Sequence, residues 1–512
     1  MNLIPVEGVA LSDGRLSWKT TADGSLGSAK EAELIFVLKS ADLEKTQFGF
    51  VLCVLKEDAG NPANPYNPFF LATHTPPDHL PQRLLITALP PHLSSVPVDV
   101  IVSVRSGTNL ALAFWETVLQ PIHALSREIL LVADPAHHQA GDALIDVGEP
   151  HVVVTQSAHS VRQYARALAA PGNRGQETAG APPPGSRTIL LLSGDGGVVD
   201  LLNGRRDGSV ASSPRTDATR SPVIALMPLG TGNALFHSLH KPIAATAAEA
   251  SPLVLALRTL FSGCPAKLPT FRASFSQGSR VTSFAGAGED GVQRPEESET
   301  PVDSLQGAIV ASYGFHASVV YESDTPEYRV HGAKRFGMVA QDLLRESHPY
   351  RAHVDIRRTP LAGTGAADTS ATDEETSKLE RVPRDSHAYV LTTLVSNLEQ
   401  TFSISPDSRP LDGQLRLVHF APIGGERTMA AMMAAYDGGK HVGMKWSEDG
   451  EEIGYEQVDE VRVTVLEEEQ RWRKVCVDGT IVEIPQGGYM SVTKGDDAGG
   501  FQVLVDPRIL KA

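Results

Sequence analysis

The sequence predicts an α/β protein: a parallel-sheet lobe, then a β-rich sandwich lobe, with an extra β-module at the N-terminus. Three observations carry this. Between about residues 99 and 240, short and fully apolar runs (VDVIVSV, EILLVAD, HVVVTQ, TILLLSG, VIALMPLG) alternate with segments of helical period. Two of these runs end directly in glycine-rich loops that open helices. After about residue 265, apolar and polar residues alternate with period two in HAYVLTTLV, GQLRLVHF, EVRVTVLE and KVCVDGTIVEI. Buried runs separated by helices imply a parallel sheet covered on both faces, and period-two alternation implies antiparallel strands with one face buried.

Residues 1–98 read as the β-module. LIFVLKS and FGFVLCVLK are apolar runs of strand length, and NPANPYNPFF is a Pro/Asn turn cluster. A pleckstrin-homology-like module is compatible with them. In the parallel lobe, 99–240, Val161, Tyr164, Ala165 and Leu168 of SVRQYARALA fall at i, i+3, i+4 and i+7, one face of a helix. Ligands in such sheets bind beyond the carboxyl ends of the strands. The β-rich lobe spans 265–500. Four stretches, 171–187, 205–221, 286–304 and 361–385, are rich in Gly, Pro, Ser, Thr and charge, and read as disordered insertions.

Composition bounds the function. The chain has 512 residues, 41% hydrophobic and 21% charged, ordinary for two or three globular domains. A net charge of −16 excludes a protein-wide basic field for nucleic acid. The N-terminus has no basic segment followed by an apolar run, so a secretory signal is not expected. The most apolar stretch, PLVLALRTLF, contains Arg258 and is too short to span a bilayer. Cys53, Cys264 and Cys476 lie far apart, without metal-ligand spacing, and read as buried thiols in a reducing compartment. The expectation is a cytoplasmic protein with peripheral access to membranes.

The chemistry lies in the loops. TILLL runs into Ser193-Gly194-Asp195-Gly196-Gly197 and then the helical VVDLLNG; VIALM runs into Pro228-Leu229-Gly230-Thr231-Gly232-Asn233-Ala234. Glycines let a backbone approach phosphate closely, and a helix N-terminus offers it free N–H groups. One such loop could be a tight turn with a capping Asp. Two in succession point to phosphate binding. Neither the Walker A pattern nor the Rossmann GxGxxG is present.

SGDGGVVDLLNG resembles the GGDGTxxEVxNG signature of the diacylglycerol kinase catalytic domain, and PLGTGNA resembles its P-x-G-T/S-G-N loop. Sphingosine and ceramide kinases carry the same pair. Residues 101–121 resemble the family's opening strand and glycine-rich loop, and Thr155 and His159 match a T-x3-H element near the adenine. Residues 312–336, SYGFHASVVYESDTPEYRVHGAKRF, resemble the sphingosine kinase segment around its aromatic-Gly-Phe and its Tyr-Arg…Arg-Phe. Cys476-Val477-Asp478-Gly479 resembles the late VDGE motif.

The resemblance implies an ATP-dependent lipid kinase of NAD kinase/diacylglycerol kinase-like fold, with ATP in the cleft between the lobes. Asp195 takes the position of the catalytic aspartate, which receives or orients the proton of a lipid hydroxyl. Ser193, Gly194, Gly196, Gly197, Gly230, Thr231, Gly232 and Asn233 would cradle the phosphates, and Thr155 would lie near the adenine. Arg329 and Arg335 match the two arginines that hold ATP phosphates, a task suited to the guanidinium fork. Asp478 and Gly479 would sit near the phosphates, with Mg²⁺ on ATP near Asp478. Asn203 and Gly204 close the first motif. Phe315, Ser318 and Glu322 would line the lipid site. The implied partners are ATP and a lipid at a membrane surface, and a homodimer is compatible.

The departures from the family also matter. Ser103 and Asn109 replace an Asn and a Gly of the opening loop, so that loop is expected to be less tight. Asp200 replaces Glu, and Thr480 replaces the Glu of VDGE. Ser318 and Val320 replace two aspartates, one of which pairs with a sphingoid amine; of the acids there only Glu322 is kept. A catalytically weak or dead lipid- or nucleotide-binding member is therefore a second reading, and an NAD kinase a third.

Overall fold

The computed structural model describes residues 2–41, 46–104, 106–107, 109–130, 148–169, 186–208, 221–244, 250–284, 297–332, 334–359, 379–495 and 500–511. The central sheet holds the strands of the parallel lobe in the order Cys264–Lys267, Gln502–Val505, Val223–Pro228, Thr188–Ser193, Val98–Val102, His151–Val154. All neighbours are parallel except the first pair. The Thr188–Ser193 strand is buried along its whole length, as expected for a strand covered on both faces. Its register with Val223–Pro228 brings Ser193 opposite Pro228, so both strands end at one level and deliver both glycine loops to one edge.

Two expectations change here. EILLVAD is not a strand where it is described: Ile129 and Leu130 close the helix Gln120–Leu130, continuing the buried face of Ile122 and Leu125. A short apolar run cannot be told from a buried helix segment by period alone. The sheet also takes in Gln502–Val505 from the far end of the chain, beyond the lobe boundary drawn from sequence.

The β-rich lobe is one antiparallel sheet of fourteen strands among the described residues, from Glu297–Pro301 at one end to Ser304–Gly307 at the other. HAYVLTTLV supplies Tyr389–Thr393, GQLRLVHF supplies Leu415–Phe420, EVRVTVLE lies in Gly454–Val465, and KVCVDGTIVEI folds into the hairpin Lys474–Val477 and Thr480–Glu483. Of the four stretches read as insertions, 171–185, 209–220, 286–296 and 361–378 lie outside the described residues. Their described flanks are ordered structure: the Asp195–Gly208 helix runs through 205–208, Glu297–Pro301 pairs with Arg280–Phe284, and Glu380–Arg381 pairs with Tyr350–Arg358.

Residues 3–86 build a seven-stranded sheet. The run NPANPYNPFF turns only in its first half; Tyr66–Thr73 is a strand paired with Phe50–Glu57 over eight residue pairs. One face of this sheet closes on a small core of its own, including Val9, Leu16, Val37 and Leu52. The other face (Phe36, Leu38, Val51, Cys53) belongs to the core shared by the parallel and antiparallel lobes. Phe36 packs on Phe261 of the helix Pro252–Ser262 with ring centroids 4.5 Å apart. From the same helix, Arg258 donates to the carbonyls of Leu34 and Glu31. Among the described residues, no helix is long and apolar enough to cross a membrane.

Candidate active site

Three loops meet at the carboxyl edge of the parallel sheet. Gly194 and Gly230 touch backbone to backbone: a Cβ built on Gly230 would lie 2.3 Å from the Gly194 Cα, and one built on Gly194 would lie 2.9 Å from the Gly230 Cα. Gly107 closes the third side with φ of +55°, and a Cβ there would lie 2.3 Å from the Leu229 carbonyl oxygen. Only glycine fits such approaches. The Ser106 hydroxyl accepts from the Gly194 N–H at 3.1 Å. Asn109 stands at φ of +64°, a left-handed position that asparagine tolerates best among side-chain-bearing residues. Asn109 thus takes the left-handed backbone that a glycine would hold there.

The glycines divide by task. Gly194, Gly197, Gly230 and Gly107 are packing positions. Around Gly196 nothing lies within 4 Å of a Cβ, and it sits in the first turn of Asp195–Gly208, where N–H groups lack helical partners. Thr231 is exposed and Gly232 half-buried; these and Gly196 are the loop positions open to a ligand. Asn233 (φ +52°) folds back, its Oδ1 accepting from the Gly230 N–H and its Nδ2 donating to the Gly230 carbonyl, both at 2.9 Å. It holds its own loop rather than presenting an amide. Ser193 is buried beneath Gly197.

Asp195 joins the two loops. Its Oδ2 accepts from the Ala234 N–H at 2.7 Å and its Oδ1 from the Leu235 N–H at 3.1 Å, capping the helix that follows the second loop, Ala234–Ala244. Burial pushes its carboxyl up to about 6, against the pull of those two N–H groups. A carboxylate has room for further acceptor contacts, so a substrate hydroxyl can still be received.

Asp478 and Gly479, at φ of +47° and +86°, are the two central residues of the hairpin turn between Lys474–Val477 and Thr480–Glu483, the Asp-Gly pair that a two-residue turn of this hand favours. The Asp478 carboxylate accepts from the N–H groups of Ala308, Ile309 and Val310 at 2.5–3.3 Å. Burial, with the Asp195 charge adding to it, pushes its carboxyl up to about 7. Asp195 belongs to the parallel lobe and Asp478 to the antiparallel one. With its lone pairs committed to backbone, Asp478 does not fit the role of metal ligand, and the described residues form no cluster of three or more His, Cys, Asp or Glu able to hold a metal.

Of the remaining expected residues, Thr155 contacts the opening loop, while the described contacts of Arg329, Arg335, Phe315, Ser318 and Glu322 lie within the antiparallel lobe. Thr155 is buried, and its hydroxyl accepts from the Val104 N–H at 3.3 Å, fixing the start of the opening loop; His159 is exposed. Arg329 grips Asp324 with two hydrogen bonds of 3.0 and 2.7 Å, and Arg335 reaches the same carboxylate at 3.7 Å. The described ion pairs of both arginines are thus to Asp324, a residue the sequence reading did not single out. Phe315 and Ser318 are buried on the helix Phe315–Ser323, which packs its Ala317, Val320 and Tyr321 against Cys476 and Ile481 of the hairpin. Glu322 is held at 2.7 Å by Arg471, which also binds Glu346 at 3.1 Å. The sequence pointed to this third loop as a glycine-rich loop within 101–121 but did not single out Ser106 and Gly107, the residues that contact the other two loops.

Residues 98–260 match the family model of the diacylglycerol kinase catalytic domain. Among solved structures, a diacylglycerol kinase from Bacillus anthracis is 12% identical, with 81% of this chain and 98% of that chain covered and a TM-score of 0.42. Yeast NADH kinase complexed with NADH is 10% identical, with 80% and 84% covered and a TM-score of 0.33. No curated protein matches the chain.

Proposed function

We propose that the chain, whose residues 98–260 match a diacylglycerol kinase catalytic domain, is an ATP-dependent lipid kinase that transfers the γ-phosphate of ATP to the primary hydroxyl of a sphingolipid or diacylglycerol-type lipid. The observation that carries it is that Asp195 joins the two glycine loops, its two oxygens accepting from the first N–H groups of the helix that follows the second loop while burial pushes its carboxyl up to about 6. A base works best with a pKa close to the operating pH. The ATP phosphates would lie against Gly196, Thr231 and Gly232. Arg329 and Arg335, pre-aligned by Asp324, would supply positive charge to them. ATP would bring Mg²⁺ on its own phosphate oxygens and water, in keeping with the ion's habit of few protein ligands; it neutralises the phosphates there. Phosphoryl transfer then depends on positioning and electrostatics.

The lipid head is read from the helix Phe315–Ser323. Ser318 supplies a hydroxyl, Val320 faces the apolar cluster, and Glu322 is already engaged by Arg471, which it shares with Glu346. An ammonium entering there would lose hydration without gaining a free counter-charge, a cost of about several kcal/mol. Neutral heads carry no such cost. Comparing kcat/KM for sphingosine, ceramide and diacylglycerol in the same micelles tests this. Ceramide or diacylglycerol is expected to lead by at least about tenfold. A preference for sphingosine that vanishes in Glu322→Gln would overturn the reading of the head-group site. Tight ATP binding with no lipid phosphorylated would support the binding-only member instead.

A further inference from the structure

Asn203 is buried on the helix that Asp195 opens, and its amide spans the two lobes. Its Nδ2 donates to the Gln306 carbonyl at 2.9 Å, its Oδ1 accepts from the Gln306 N–H at 2.9 Å, and the second Nδ2 hydrogen goes to the Val199 carbonyl at 2.9 Å. Ser304–Gly307 is the last strand of the antiparallel sheet, paired on one side with Phe271–Phe275. On its open side the Asn203 carboxamide takes the place of a further strand, pairing both backbone groups of one residue. Three features make this more than local packing. Gly204 lets the helix Ser160–Ala169 approach from behind, since a Cβ there would lie 2.4 Å from the Arg162 carbonyl oxygen. Arg206, one turn on, donates to the Ser304 carbonyl at 3.2 Å and binds the Ser304 hydroxyl. The strand then runs directly into Ala308, Ile309 and Val310, whose N–H groups hold Asp478.

We propose that Asn203 is a positioning residue that fixes the angle between the lobes and so sets Asp195 against the Asp478 turn across the cleft. The proposal rests on the kinase reading above for its kinetic consequence, not for its structural one. The amide is committed to the backbone of Val199 and Gln306; it aligns the helix that carries the base with the strand that leads into the turn. An asparagine is required because the strand presents one donor and one acceptor to it. Aspartate matches the donor but sets a carboxylate against the Gln306 carbonyl, and alanine matches neither.

Full-length wild type, Asn203→Ala, Asn203→Asp and Arg206→Ala are compared by amide hydrogen exchange and by steady-state kinetics. In both Asn203 variants, exchange at 306–310 is expected to quicken by about tenfold or more, the loss of one to two buried hydrogen bonds, with 188–193 unchanged. Turnover should fall by about tenfold or more while KM for ATP moves less than about twofold, the pattern of a misaligned base rather than a lost contact to ATP. Arg206→Ala should quicken exchange at 304 and leave kcat within about threefold. If Asn203→Ala does not fold, Asn203→Asp carries both readouts. Wild-type exchange at 306–310 in a folded Asn203 variant overturns the proposal, as does a fall in kcat that vanishes when rates are scaled to the folded fraction. A wild-type protein that phosphorylates no lipid would sink the kinase reading alone, since the exchange data still decide whether Asn203 pins the lobes.

Discussion

Asp195 has two duties that pull on one carboxylate. As a cap it must be an anion accepting two N–H bonds; as a base it must give up part of that role when a proton arrives. Burial raises its midpoint from 3.8 to about 6, and that of Asp478 to about 7. Both acids therefore hold protons more tightly folded than unfolded. Their contribution to stability is fully present below about pH 4 and is lost as pH rises through about 6 and 7. Activity runs the other way, because the base must be ionised. kcat/KM should fall on the acid side with an apparent midpoint near 6, and Asp195→Asn should lose stability less steeply than wild type between about pH 5 and 7 in urea unfolding. A rate flat through that range would place the base elsewhere.

At the scale of elements, the glycine loops separate packing from binding, and substitution reads the difference. Gly230→Ala drives a methyl into the Gly194 backbone, which cannot yield, so thermal melting should report a loss of about 3 kcal/mol or more. Gly196→Ala meets open space in a helix first turn; its melting temperature should hold or rise, since alanine favours the helix by up to about 1 kcal/mol. KM for ATP should rise even so, because the added methyl occupies the face left to phosphate. Wild-type KM in Gly196→Ala would remove that position from the ATP site. The strands bearing these loops were legible in the sequence because buried parallel strands are continuous apolar runs, and Asp195 was legible from its loop. What was not legible is where the side chains turn. Asn233 bonds its own loop, the Asp478 carboxylate accepts from the N–H groups of 308–310, and Arg329 and Arg335 share Asp324. These contacts depend on neighbours distant in sequence or on backbone dihedrals that periodicity does not encode. The described part of EILLVAD, 128–130, closes a helix for a related reason: a short apolar stretch fits a strand and a helix face equally.

The whole molecule depends on shared interiors. The seven-stranded N-terminal sheet gives one face to the catalytic core, and Arg258 ties the carbonyls of Leu34 and Glu31 to the helix Pro252–Ser262. Arg258→Ala leaves two backbone acceptors without their donor and should cost about 1–3 kcal/mol in chemical denaturation, with one cooperative transition for both parts. Separate transitions, or a fully folded and active chain lacking residues 1–90, would show the sheet to be an independent module. The lobes meet at Asn203 and Gln306, and the central claim is that the Asp195 carboxylate drives transfer of phosphate to a lipid hydroxyl. The measurement that tests it most directly is transfer of label from γ-labelled ATP with Mg²⁺ to a panel of sphingosine, ceramide and diacylglycerol, run beside Asp195→Asn, with ATP affinity measured for both. The account predicts a labelled lipid with wild type, and transfer slower by about 10²–10⁴ in Asp195→Asn at nearly unchanged ATP affinity. Equal transfer rates in the two proteins, or label passing to NAD and to no lipid, would contradict it.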